Sequence, residues 1–91
     1  MQIRAFEWDN GNINHIMERH GIEPEEVEEV FINRPLLRKT YEDRRIALGQ
    51  TDSGRYLFVV FILKPEGILR VITCRDMDEK ERRYYRRERR H

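Results

Sequence analysis

The run Tyr56-Leu57-Phe58-Val59-Val60-Phe61-Ile62-Leu63 is apolar at all eight positions, and no other feature constrains the fold as strongly. It is far short of the roughly 20 apolar residues that span a bilayer. Its β-branched and aromatic residues favour an extended chain, so the run is predicted to be the central strand of a sheet. With 91 residues there is room for one modest core and one domain, residues 1–91. Hydrophobic and charged residues each make up 38% of the chain, so that core is thin and its surface dense with charge.

The elements around the central strand follow from periodicity and punctuation. Ile3 to Trp8 reads as a short strand ending at Asp9. Ile13, Ile16, Met17 and His20 then recur at helical spacing, with Asp9 or Asn10 as N-cap and Gly21 as the left-handed stop, which leaves Asn12, His15 and Arg19 on the exposed side. Glu23-Pro24-Glu25-Glu26 starts a second helix, because proline fits the first helical position and the acids oppose the positive end of the dipole. Val27, Val30 and Phe31 are its buried stripe, and Asn33 and Pro35 end it. Leu36–Tyr41 and Arg44–Gln50 read as strands, and Thr51-Asp52-Ser53-Gly54 as a hairpin turn. After the central strand, Lys64-Pro65-Glu66-Gly67 turns the chain into a last strand, Ile68 to Arg75. Asp76, with Glu79 three residues on, caps a final arginine-rich helix docked by Met77, Tyr84 and Tyr85. The predicted fold class is α+β, a compact β-α-α-β-β-β-β-α with one antiparallel sheet.

Charge is unevenly placed along the chain. Residues 1–33 carry eight acids against two bases, and residues 34–91 sixteen bases against nine acids. Fifteen of the eighteen bases are arginine, whose planar fork suits phosphate or carboxylate better than lysine does. The basic half is therefore either a polyanion-binding face or a solvated surface neutralised by the acidic half. A single cysteine, Cys74, excludes an intramolecular disulfide and fits a reducing compartment. The first residues, Met-Gln-Ile-Arg-Ala-Phe-Glu, hold no apolar signal core, so a cytoplasmic protein with no membrane association is expected.

Several kinds of chemistry are disfavoured by spacing. His15 and His20 are five residues apart, about 140° around a helix, so they do not chelate one ion as an i, i+4 pair does. Asp9, Asn12 and His15 form an i, i+3, i+6 row, but asparagine is a poor transition-metal ligand, and neither a metal site nor a cofactor is expected. Cys74 lies within a strand and reads as core, and no serine occupies a nucleophile elbow.

The motifs in their order carry a resemblance. Phe6-Glu7-Trp8-Asp9, then His20-Gly21-Ile22 with Glu25-Glu26-Val27 and Phe31, then Glu42-x-Arg44 before Leu48-Gly49, cover the first half. Gly54-Arg55-Tyr56-Leu57, Arg70-Val71-Ile72-Thr73-x-Arg75, and Glu81 with Tyr85 cover the second. Together they resemble the BrnT-like ribonuclease toxins of bacterial toxin-antitoxin pairs, over nearly the whole chain. BrnT-like toxins usually carry Lys before the His-Gly pair, and often another earlier in that helix. Arg19 and Asn12 stand there in this chain, with His15 added, which looks like a divergent branch of the family.

The resemblance implies a RelE-like fold, RNA as substrate, metal-independent cleavage, and a cognate antitoxin of ribbon-helix-helix type. Such cleavage uses the RNA's own 2′-hydroxyl, so the protein needs a proton acceptor, a donor for the leaving oxygen and cations around the phosphorus. His20, His15 or Glu42 can accept the proton; Arg44, Arg70 and Arg75 can hold the phosphate; Tyr85 or Tyr84 can orient or donate. Arg19, Arg82, Arg83 and Arg86 are candidate RNA contacts. Other readings stand beside these: His20 as a packed helix-terminating residue, and Phe6 and Trp8 as core. Arg70, flanked by Leu69 and Val71 in a strand, must be paired or lie in a site, and Glu42 is its expected structural partner. Arg70 and Arg75 are five apart and would face opposite sides of a flat strand, so Arg75 is expected at the strand-to-helix corner, at the mouth of the site beside Tyr85, with Arg70 and Arg44 reaching the same cleft from neighbouring strands. Two functions remain: an endoribonuclease toxin, or a non-catalytic RNA- or protein-binding module of the same fold.

Overall fold

The structure, a computed structural model, describes residues 2–40 and 42–89. In chain order the strands are β1 (Ala5–Glu7), β2 (Leu36–Lys39), β3 (Arg44–Gln50), β4 (Tyr56–Lys64) and β5 (Ile68–Asp76). The helices are α1 (Asn10–His20), α2 (Pro24–Ile32) and α3 (Glu79–Arg89), and a 3-10 turn at Pro65–Gly67 joins β4 to β5. Tyr41, expected at the end of a strand, lies outside the described residues. The sheet order is β1-β5-β4-β3-β2, so the uniformly apolar run is the middle strand.

Strands β2 to β5 form the antiparallel meander. The first strand corrects the expectation of a wholly antiparallel sheet: β1 adds beside β5 in parallel, Ala5 opposite Ile68 and Glu7 opposite Arg70. Two helices and three strands separate β1 from β5 in sequence, so nothing local sets their relative direction.

Helices α1 and α2 cover one sheet face and α3 covers one end of the other, so both sides of β4 meet apolar packing. Leu57, Val59 and Phe61 join Ala47, Leu69, Val71 and Cys74 under α1 and α2, which contribute Ile16, Val27 and Val30; Ile22 between the helices is also fully buried. On the opposite face Leu48, Met77 and Tyr85 form a smaller cluster with Tyr56, Phe58 and Tyr84, and this docks α3.

The helix ends are held by side chains. Asp9 caps α1 through Asn12 N, and Gly21 closes it at φ 63°. At the start of α2 the Glu26 carboxylate accepts from Glu23 N, and Glu26 N donates to Glu23 O. The expected cap of α3 moves two residues on: Asp78 Oδ1 accepts from Glu81 N, and Glu81 Oε1 from Asp78 N. Asp76, the expected cap, remains in β5 and pairs with Arg55.

Helix α1 is also rotated from its predicted setting. Asn12, expected to be exposed, is 4% exposed, while Met17, expected in the buried stripe, is 40% exposed. Strand β1 covers the edge of β5 only as far as Arg70, and Asn12 takes over the next backbone group. Its Nδ2 donates to Val71 O and Glu7 O at 3.1 and 3.0 Å, and its Oδ1 accepts from Asp9 N at 2.8 Å. A buried amide with all these bonds made replaces the strand partner that β5 lacks there.

Candidate active site

Strand β5 carries one extra residue. Arg70 stands opposite Ile62 and Val71 opposite Phe61, but Thr73 is opposite Val60 and Arg75 opposite Phe58, so Ile72 has no counterpart on β4. The bulge shifts the alternation by one position. Ile62 and Phe58 share a face of β4, and Arg70 and Arg75 consequently share that face as well. A regular strand would point them to opposite sides; this bulge, rather than a curl at the strand end, puts them on one.

Arg44 joins them. It also pairs with Ile62, from the β3 side, so Arg44, Ile62 and Arg70 form one row across the sheet. Two strand spacings put the two arginine Cα atoms ~10 Å apart. The next row is Arg38, Ile46, Val60 and Thr73; the one after it is Leu36, Leu48, Phe58 and Arg75, where α3 begins to cover the sheet. The open part of this face has an apolar floor of Ile46, Val60 and Ile62 with arginines around it.

Each arginine has different company. Arg70 Nη1 binds Asp9 Oδ2 at 2.7 Å and Glu7 Oε1 at 3.2 Å, and Lys64 Nζ reaches the same Glu7 oxygen at 2.7 Å. Its structural partners are therefore Glu7 and Asp9, not Glu42. The hydrogen bond from Arg70, then that from the Asn12 backbone N–H, holds the Asp9 carboxyl below its usual range. Glu7 is lowered first by Lys64 and also by Arg70. Arg75 binds Glu81 in a two-pronged pair at 2.8 and 2.9 Å and lies 4.1 Å over the Phe58 ring. Arg44 is exposed and makes no ion pair among the described residues.

Histidines flank this face at the β5 edge. His15 Nε2 lies 2.9 Å from Thr73 Oγ1, and the His15 and His20 rings meet edge-on at 5.6 Å. A 270 Å³ hollow beside them is lined by Gly11, Asn12, His15, Arg70 and Ile72. His20 sits further along, its carbonyl accepting from Arg55. Arg19 is exposed on the same helix. Glu42 is exposed at the β2-β3 turn, at φ 64°, beside a separate 190 Å³ hollow shared with Arg44.

On α3, Tyr85 is 4% exposed and packs edge-on against Tyr56, so its ring anchors the helix. Tyr84 is the tyrosine that meets the open face: its hydroxyl accepts from Arg38 Nε at 2.7 Å. Arg82 and Arg86 both lie over the Tyr56 ring, and Arg83 pairs with Glu79 one turn back.

Two residues gained importance only in the folded chain. Thr73 looks like an ordinary strand residue until the bulge aims it at His15. Arg55 grips Asp76 through two bonds of 2.7 and 2.9 Å, Glu26 at 3.3 Å, and the carbonyls of His20 and Gly21. Its place in the Gly54-Arg55-Tyr56-Leu57 motif was the available clue. Burial pushes the Cys74 thiol up to about 12, so at neutral pH it is a protonated core group and no nucleophile. Among the described residues no group of three or more His, Cys, Asp or Glu is gathered as for a metal ion. Nor is any described helix long and apolar enough to cross a membrane.

Comparisons with known proteins bear on this geometry. No curated protein matched the sequence. The crystal structure of the Brucella abortus ribonuclease toxin BrnT superposes with a TM-score of 0.71 at 22% identity, covering 82% of this chain and 97% of that one. The family model described as the ribonuclease toxin, BrnT, of type II toxin-antitoxin systems matches residues 8–81, which include α1, the bulged strand, Arg44, Arg70 and Arg75. The chain belongs to the BrnT family of type II ribonuclease toxins.

Proposed function

We propose that the chain cleaves RNA without a metal ion, on the open face bounded by Arg44, Arg70 and Arg75. The bulge at Ile72 carries this reading, because it alone puts the two β5 arginines on one face with Arg44. Family membership implies an RNA substrate and an antitoxin partner. The ribbon-helix-helix type of that antitoxin and a cytoplasmic site of action belong to the same proposal.

The 2′-oxygen attacks the adjacent phosphorus and the bond to the 5′-oxygen breaks, which leaves a cyclic phosphate. His15 is the favoured proton acceptor. Its bond to Thr73 fixes the ring beside Arg70, whereas His20 lies further from the arginine row and Glu42 stands at the hairpin tip. Arg44 and Arg70 clamp the phosphate from either side of Ile62, and Arg75 adds charge at the α3 end. Tyr84, whose hydroxyl accepts from Arg38 and keeps its own proton to give, fits the donor to the leaving 5′-oxygen better than the buried Tyr85. Arg19, Arg82, Arg83 and Arg86 extend the cationic surface along the strand being cut.

The second reading, a binding module, also has an observation behind it. Arg70 and Arg75 are already held by carboxylates, so a phosphate must compete with Asp9 and Glu81. One experiment separates the two. The purified chain is expected to cut single-stranded RNA equally with and without chelator, and Arg44→Ala is expected to slow cutting on the order of a hundredfold at an unchanged melting temperature. Cleavage that needs added magnesium overturns the mechanism, and RNA binding without cleavage selects the module.

A further inference from the structure

Two groups of the proposed site lean the same way. Arg70 starts on the open face, but its guanidinium reaches the β1 end of the sheet edge, where Nη1 meets Asp9 and Glu7. His15 comes to that edge from α1 and is fixed there, with Thr73 on its Nε2 and the His20 ring edge-on beside it. Both side chains line the 270 Å³ hollow between the start of α1 and β5.

The rest of the lining is uncharged and leaves room. Gly11 borders the hollow from α1 and adds no side chain, and the Asn12 amide on its wall already makes three bonds, to Asp9 N, Glu7 O and Val71 O. Ile72, the unpaired residue of the bulge, supplies an apolar wall. It is half-buried and packs against neither core cluster, so the bulge presents it to the hollow rather than to the interior. The space is smaller than the pockets of roughly 300–1,000 Å³ that take whole small molecules. Its walls of imidazole, guanidinium and aliphatic side chain are surfaces on which an unstacked base lies.

The chemistry of the ribose decides which base that is. When the 2′-hydroxyl is the nucleophile, the attacking oxygen and the base sit on neighbouring carbons of one sugar. A ribose whose 2′-hydroxyl meets His15 and whose 3′-phosphate meets Arg70 therefore carries its base to the same two side chains. We propose that the hollow is the subsite for the base on the 5′ side of the cut, and that Ile72 sets which bases it admits. The proposal rests on the cleavage reading above and goes beyond it by assigning selectivity to one nucleotide. The nucleotide on the 3′ side lies beyond Arg70, over the floor of Ile46, Val60 and Ile62. Because the Asn12 amide is already bonded, size is the main contrast between a purine and a pyrimidine in this hollow.

The test incubates the full chain with RNA of mixed sequence and sequences the fragment ends, which gives the nucleotide on each side of every cut. Wild type is expected to show its preference at the 5′ nucleotide. Ile72→Ala, which enlarges the hollow, is expected to raise the purine-to-pyrimidine ratio there about tenfold, and Ile72→Phe, which narrows it, to lower the ratio by a similar factor. The ratio is read within each variant, so a slower or less stable variant still reports it. A second measurement needs no variant: RNA whose ribose at a mapped cut site lacks its base is expected to be cut by wild type on the order of tenfold more slowly than its parent. Equal rates on these two RNAs overturn the subsite while the cleavage reading stands. So does a ratio unmoved in both variants, or a wild-type preference confined to the 3′ nucleotide. A wild-type chain that binds RNA and cuts none removes the cleavage reading, and the subsite falls with it.

Discussion

One guanidinium, that of Arg55, ties three elements together. It holds Asp76 at the end of β5, Glu26 on α2 and the two carbonyls that close α1. Hydrogen bonding from Arg55 keeps Asp76 below the usual carboxylate range, as that from Arg75 keeps Glu81 low. Asp9 and Glu7 are lowered likewise on the other side of the molecule. A carboxyl whose folded-state pKa is depressed binds its proton more readily in the unfolded chain. Its stabilisation is complete above the ordinary carboxylate pKa of about 4 and is lost as pH falls through the lower folded values. The melting temperature is therefore expected to be flat from neutrality to about pH 5 and to drop below that, and Asp76→Asn should lower the plateau and shallow the drop. A wild-type chain with the same melting temperature at pH 3 as at pH 7 would contradict these pairings.

Helix α2 packs directly on β3 at Gly49. A Cβ placed on Gly49 comes within 2.8 Å of Val30 Cγ1 and 3.3 Å of Pro35 Cβ. Val30 is fully buried and has no free space to retreat into. Gly49→Ala gains something from reduced backbone freedom in the unfolded chain, roughly 0.4–1 kcal/mol. Overpacking against Val30 costs more, about 1–3 kcal/mol, so a net loss is expected in urea unfolding. A variant as stable as wild type would show that α2 can slide on the sheet. At the other end, Glu81 both completes the cap of α3 and receives Arg75. The start of that helix and the position of one candidate phosphate ligand are thus set by one carboxylate.

Across the whole molecule, five of the eight acids in residues 1–33 bind groups outside their own helix turn, while Glu18 and Glu25 stay exposed. Glu7, Asp9 and Glu26 each bind a base from the later part of the chain, and Glu28 and Glu29 hold Trp8 and the Asp52 amide. The arginines without an ion pair among the described residues include Arg44 on the open face and Arg82, Arg86 and Arg89 on α3. RNA affinity of the free chain is therefore expected to fall on the order of tenfold to a hundredfold between 50 and 200 mM salt, in filter-binding or anisotropy titrations. A flat salt dependence would mean that the surplus arginines on Tyr56 and Tyr84 serve only to dock α3.

The sequence by itself determined what depends on near neighbours. The central strand, the Gly21 stop, the proline start of α2, the two hairpin turns and the core role of Cys74 each follow from a few adjacent residues. The family motifs were legible in the same way. The tertiary structure alone decided what depends on register. One unpaired residue, Ile72, cannot be recognised without the partner strand it fails to match, yet it determines that Arg70 and Arg75 share a face and that Thr73 meets His15. The parallel pairing of β1, the burial of Asn12 on the Val71 carbonyl and the pairing of Arg70 with Asp9 join residues some 60 positions apart. Periodicity reports which side of its own element a residue occupies, and it carries no information about what the rest of the chain brings to that side.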